Sequence, residues 1–208
     1  MKITINTTIT KNKVFYTSDS HFFHRQSFIW ADRGYSSPEE HTFKSIDKIN
    51  EQAKPEDFIF NLGDFGLNYT QNDFETIISK INCQNIYYIR GNHNSRIDQA
   101  YRHEVYLQFN RDDIEVYPIR YKNIIFVGDY VEATVDKQLI IMQHYPLYSW
   151  NQMRKFSIHL FGHLHCKGGP KEGKCMDVGF DRDKKMYSHE EIIEIMSKKQ
   201  IVSDGSHH

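Results

Sequence analysis

The chain has 208 residues, of which 39% are hydrophobic, 25% charged and 14% aromatic, with a formal net charge of −1. This excludes a disordered chain and suits one domain with a full buried core. The near-zero charge supplies no broad basic field, so extended nucleic-acid binding is not expected.

Three cysteines are an odd, low number, which fits a reducing, cytoplasmic setting. No apolar run reaches the length of a membrane span, and the first residues lack the apolar block of a signal peptide. No repeat, low-complexity tract or linker interrupts residues 1–204, which are expected to form a single domain. Residues 205–208 read as a purification-tag remnant, so their two histidines are set aside.

Residues 1–10 alternate and are rich in β-branched side chains, which predicts a strand. Val14–Thr17 predicts a second, running into Ser18-Asp19-Ser20-His21. A helix should start at Ser37-Pro38-Glu39-Glu40, with Ser37 as the cap, Pro38 at the first position and Glu40 completing a capping box. Phe43, Ile46, Ile49 and Ala53 follow at helical spacing, and Lys54-Pro55 ends the helix. Residues 57–62 predict a buried strand stopping at Gly63-Asp64. Asn72-Asp73-Phe74-Glu75 opens a helix with Phe74, Ile77, Ile78 and Ile81 on one face. Ile86–Ile89 predicts a strand stopping at Gly91-Asn92-His93.

Residues 95–112 read as helix plus loop. Strands are then expected at 114–117, 123–127, 130–135 and 139–143, the last stopping at His144. Ser157–Phe161 predicts another, stopping at Gly162-His163-Leu164-His165. Ser188-His189-Glu190-Glu191 forms a second capping box and leads an amphipathic helix carrying Ile192, Ile193, Ile195 and Met196.

Five apolar runs therefore end in residues able to bind a metal, and Gly63, Gly91 and Gly162 precede three of those ends. Glycine allows a sharp turn and a close backbone approach. Strand ends in a packed sheet gather at one edge, where α/β folds place their sites. Each fragment alone reads as a turn. Their order, Asp-x-His, Gly-Asp, Gly-Asn-His, His, Gly-His-x-His, resembles the calcineurin-like metallophosphoesterase superfamily over about residues 13 to 196. His144-Tyr145-Pro146 resembles the form in many small bacterial and phage members. Asp177-Val178-Gly179 resembles their closing strand, where asparagine is usual at the first position.

The resemblance implies an α+β fold: a four-layer β-sandwich flanked by helices, with a metal site at the strand ends. It implies two divalent ions. Asp19, His21, Asp64 and His165 would hold the first; Asp64 would bridge to the second, completed by Asn92, His144 and His163. Mixed carboxylate, amide and imidazole donors suit Mn²⁺ first, with Fe²⁺, Co²⁺, Zn²⁺ or Ni²⁺ as alternatives. The implied reaction is hydrolysis of a phosphate ester by a metal-bound hydroxide. The expected substrate is small and phosphorylated, a phosphodiester or a nucleotide. A phosphomonoesterase, a nuclease and a non-catalytic binding module scaffolded by metal remain alternatives, although all seven ligand positions are filled.

In the family the histidine after the metal-binding asparagine serves as general acid, which falls on His93. Several phosphatases of the family carry an acidic residue next, and this chain has Asn94. They also carry an aspartate three residues after the bridging one, and this chain has Leu67. His24, Arg25 and Arg33 read as phosphate or leaving-group contacts, or as a solvated loop. The aromatic run Phe22, Phe23, Phe28, Trp30 and Tyr35 reads as core or lid, or as a stack for a base. Cys166 and Cys175, near His163 and His165, match no common zinc-finger spacing.

Overall fold

Period-two alternation along the strands sorts their side chains onto opposite faces, and this sorting decides the architecture. The computed structural model describes residues 1–5, 11–110 and 117–201. In chain order the elements are β1 (Lys2–Ile5), β2 (Val14–Thr17), α1 (Ser27–Trp30), α2 (Pro38–Gln52), β3 (Phe58–Asn61), α3 (Gln71–Lys80), β4 (Asn85–Tyr88), α4 (Ser95–Phe109), β5 (Ile119–Tyr121), β6 (Ile124–Phe126), β7 (Tyr130–Val135), β8 (Gln138–Gln143), β9 (Ile158–Phe161), β10 (Cys175–Asp177), β11 (Tyr187–Ser188) and α5 (His189–Ser197).

The strands form a five-stranded sheet in the order β1-β7-β8-β9-β10 and a six-stranded sheet in the order β11-β2-β3-β4-β6-β5. Tyr16, Phe60 and Leu62 of the six-stranded sheet face Val131, Ile140, Met142 and Leu160 of the other, and all are buried. Ile192 and Met196 of α5 join this inner core. The alternate residues Phe15, Ile59, Ile86 and Tyr88 point outward. They pack beneath Ile46 and Ile49 of α2, Phe74 and Ile77 of α3, and Ile97 and Val105 of α4. Outside the five-stranded sheet, Ile141, Phe161 and Cys175 are covered by Trp150, with Leu147 and Met153 beside it. The layers are thus helices, sheet, sheet and a turn-rich cover, which is the expected α+β sandwich.

Strands β2, β3, β4 and β6 run parallel, as do β8, β9 and β10. Tyr16 pairs with Phe60 and Phe60 with Tyr87 in register. Their rings stack across the three strands at 5.7 and 5.0 Å between centroids. Such aromatic pairs contribute about 0.5–1.5 kcal/mol each beyond area burial. They also pin the register. A slip of one residue would turn the site residues that follow these strands to the wrong side.

Several local details depart from the sequence expectation. Glu40 N–H donates to Ser37 Oγ, but the Glu40 carboxylate reaches Ser36 rather than Ser37, so only half of that capping box forms. The third helix is capped by Thr70, with Asp73 closing a full capping box. The box at Ser188 forms as expected. Residues 95–109 are one helix, ending at Asn110 in the left-handed conformation. The short β5, β11 and α1 carry too few residues to show a period. The expected strands at 1–10 and 114–117 lie partly outside the described residues; Tyr117 is not in a strand. Residues 205–208 lie wholly outside.

Candidate metal centre

Beyond the sheet, the loops after β2 and β3 zip together. Asp19 N–H donates to Gly63 O at 3.0 Å, His21 N–H to Asp64 O at 3.0 Å, and Phe22 N–H to Phe65 O at 2.8 Å. Gly162 N–H donates to His144 O at 2.9 Å, which ties the ends of β8 and β9. Two glycines sit where no side chain fits. A Cβ on Gly162 would run into Ser18 Oγ and Asp19 Oδ2, and one on Gly91 into Asp64 Oδ1. The left-handed backbone region is rare outside glycine, and Asp, Asn and His tolerate it best. Asp19, His21, Asp64, His163 and His165 all adopt it, with φ between 48° and 69°.

These loops bring two donor groups together. The ligand atoms of Asp19, His21 and His165 lie within 4.8 Å of one another, and so do those of Asp64, His144 and His163. Asp64 stands between them. Its Oδ2 is 3.8 Å from His21 Nε2 and its Oδ1 is 3.4 Å from His144 Nε2. Asn92 Oδ1 lies 3.0 Å from both His144 Nε2 and His163 Nδ1. All seven residues expected as ligands converge here.

The protonation pattern fits cations. His144 Nδ1 donates to Leu62 O at 2.7 Å, so its Nε2 is turned toward the oxygens of Asn92 and Asp64, and the Asp64 carboxylate raises its pKa against burial. His165 Nδ1 donates to Asp181 Oδ2 at 3.0 Å, so its Nε2 lone pair faces His21 Nε2 at 3.3 Å. His21 Nδ1 is buried and has no hydrogen-bond partner. Ligand atoms are thus pressed together, competing for the same few protons. Hard and borderline divalent cations relieve this arrangement, and histidine ligands oriented through their second nitrogen are the usual way to hold them.

The electrostatics agree. Burial pushes the Asp19 carboxyl up to about 6, against the pull of His144 and His165. Burial also acts to raise Asp64, but the bond and charge of His144 hold it well below the usual carboxylate range. His21 is pushed down, first by burial and then by Arg33, which keeps its imidazole neutral.

Arg33 departs from the sequence expectation. It is buried, and all five of its N–H donors are engaged by protein. Nε and Nη2 donate to Asp181 at 3.0 and 2.9 Å; Nη2 also donates to Asp19 O at 2.7 Å; Nη1 donates to Ser20 O at 3.1 Å and to His41 Nε2 at 2.9 Å. No donor is left for a phosphate. Burial and Arg33 together press His41 down to about 3, so it stays a neutral acceptor. Arg33 instead braces the Asp19 loop and, through Asp181, His165. Nothing in the sequence pattern marks Asp181. Its bonds to His165 and Arg33 hold its carboxyl low despite burial, and it in turn raises His165.

Around the two groups, His93 N–H donates to Asp64 Oδ1 at 2.8 Å, and its ring lies tilted 5.8 Å from that of His21. Among the described residues no carboxylate pairs with the His93 ring. Asn94, where several phosphatases of the family carry an acid, is buried and bonded to Tyr88 OH and Gly91 O. His24 is buried, its ring edge-on to His21 at 5.3 Å. Arg25 is exposed on the same loop. Tyr145 packs its ring 4.6 Å from His163 and 5.1 Å from His144. Cys166 and Cys175 are free thiols, and neither joins either donor group.

No helix among the described residues is long and apolar enough to cross a membrane. No curated protein matches this sequence. A crystal structure of a protein of unknown function, AQ665 from Aquifex aeolicus, resembles this one with a TM-score of 0.61 and 18% identity, over 88% of this chain and 99% of that one. At that identity the likeness speaks for the fold alone. The family model for calcineurin-like phosphoesterases matches residues 13–167. That span holds both donor groups and stops before Asp181. Well over half of the sequence fits the model, and the chain belongs to the calcineurin-like phosphoesterase family.

Proposed function

We propose that the chain is a two-metal phosphoesterase acting on a small phosphodiester or nucleotide. The observation that carries this reading is Asp64, which turns one oxygen to each of two three-residue donor groups. In this reading Asp19, His21 and His165 hold one ion, Asn92, His144 and His163 the other, and Asp64 both. The donor set favours Mn²⁺, with Fe²⁺, Co²⁺, Zn²⁺ or Ni²⁺ as substitutes. Bound as a pair, such ions neutralise phosphoryl charge and lower the pKa of water toward neutrality.

The remaining work falls to the chain. His93, beside the first group, protonates the leaving oxygen. His24 and Arg25 line the approach from the loop after His21. The net charge of −1 supports a small substrate rather than a polymer, and the family supports a phosphate ester. We take residues 1–204 as one domain and the cytoplasm as its setting.

The test is chelation followed by reconstitution. Dialysis against chelator should abolish turnover of bis(p-nitrophenyl) phosphate. Mn²⁺ should restore it as two ions bind per chain by elemental analysis. Full activity in the metal-free protein would refute the reading. Two bound ions without turnover of mono- or diesters would favour a binding module. Cleavage of long single-stranded or duplex DNA on gels would favour a nuclease.

A further inference from the structure

The aromatic run after His21 divides in two. Phe22 is buried in the core, whereas Phe28 is 59% exposed on α1. Phe28 forms part of the wall of a cavity of about 340 Å³. Ile29 and Leu164 add apolar surface, and Asp32 and Lys167 add one charge of each sign. The mutually neutralising Arg33–Asp181 pair also borders it. His165 belongs both to this cavity and to the first donor group, so the two adjoin across its ring. Aromatic rings step from one to the other: His21 meets His24 edge-on at 5.3 Å, and His24 meets Phe28 edge-on at 5.8 Å.

Each feature narrows the occupant. The volume lies within the usual range for small-molecule sites. Opposite charges on the walls give no preference for a further anion. The mixture of apolar wall and separated donors and acceptors suits an uncharged planar group with polar edges. An exposed phenyl ring beside such a space offers a stacking face, and base-on-aromatic stacking tolerates any base. We propose that this cavity receives the nucleobase of a nucleotide substrate, stacked on Phe28, while its phosphate lies at Asp19, His21 and His165. The inference rests on the phosphoesterase reading and narrows its substrate to nucleotides.

Two esters that release the same nitrophenolate isolate the effect. One is thymidine 5′-p-nitrophenyl phosphate; the other is methyl p-nitrophenyl phosphate. Phe28→Ala should lower the ratio of their kcat/KM values, nucleoside over methyl, by ~5–150-fold, the equivalent of one lost stacking contact. A second readout needs no metal. The affinity of the chelator-treated protein for thymidine 5′-monophosphate, measured by calorimetry, should fall in Phe28→Ala and be kept in Phe28→Trp. An unchanged ratio overturns the proposal. So does an unchanged nucleotide affinity in Phe28→Ala, or a Phe28→Trp protein that behaves like Phe28→Ala. These outcomes leave the phosphoesterase reading intact. If the Mn²⁺-loaded wild-type protein turns over neither ester, that reading fails and takes this proposal with it.

Discussion

Replacing Asp181 by asparagine keeps the side-chain shape and removes a charge on which both His165 and Arg33 depend. His165 Nδ1 donates to Asp181 at 3.0 Å, and Arg33 grips the same carboxylate through two bonds. Losing the carboxylate behind a metal-binding histidine typically weakens metal binding ~10–100-fold. That should fall on the ion held by Asp19, His21 and His165. The ion held by Asn92, His144 and His163 should change far less, since none of those three touches Asp181. The same change leaves Arg33 buried without its counter-ion, and breaking a buried pair costs ~3–5 kcal/mol. The lower end applies, because Asp181 keeps 20% of its side-chain exposure. For a chain of this size, ~3 kcal/mol corresponds to a fall of roughly 6–12 °C in Tm. Calorimetric titration of metal-free Asp181→Asn with Mn²⁺ reads the first effect, and thermal melts in chelator read the second. Equal weakening of both ions would show that Asp181 supports the fold at large. Wild-type affinity at both would show that His165 needs no carboxylate behind it. Either result refutes the argument.

Asp64→Ala should reduce bound metal at both positions by elemental analysis, whereas His144→Ala should reduce it mainly at one; two ions in Asp64→Ala would remove its bridging role. With metal content shown intact, His93→Ala should slow nucleoside and alkyl leaving groups by ~10²-fold more than nitrophenolate, the lower end of general acid catalysis, since no carboxylate among the described residues supports the ring. Equal losses on both would assign His93 to the phosphoryl charge or the fold. His159 gives a pH prediction away from the site. Its Nδ1 donates to Ile141 O and its Nε2 accepts from Leu147 N–H, so the folded protein holds it neutral and burial lowers its pKa from 6.5 to about 4. The unfolded chain binds that proton more readily, so this contribution is complete above about pH 6.5 and declines as pH falls toward 4. Between pH 7 and 4.5 it amounts to roughly 2–3 kcal/mol. In chelator, His159→Gln should lose less stability over that interval than wild type by this amount. Parallel pH profiles would rule the group out.

The donor residues were legible because each follows directly on an apolar run, so local pattern and chemistry point the same way. Asp19, Asp64 and His144 need only their own strands to be recognised. Arg33 was not legible as a brace. An arginine on a polar loop normally extends into water, and its partner Asp181 lies 148 residues away. Asp181 itself sits in an Asp-Arg-Asp run that carries no signal, and only the folded sheets bring it to His165. Phe22 and Phe28 look alike in sequence. Phe22 is buried by its bridge to Gly66, whereas the exposure of Phe28 depends on the phase of a four-residue helix too short to show a period. Thr70 does not stand out as the cap in sequence, because Asn72 and Asp73 are equally good helix-start residues.

Five of the donor residues hold a backbone conformation that L-amino acids resist. At about 1 kcal/mol each, they withhold roughly 5 kcal/mol, the scale of a whole domain's net stability. A laboratory selection for heat resistance that ignores turnover would therefore run against this centre. A substitution such as His163→Gly relaxes the chain where it is bent and removes a crowded lone pair at the same stroke. A hardier variant of this protein is thus most easily reached by forgetting its metals, and any engineering for robustness has to select for metal retention in every round.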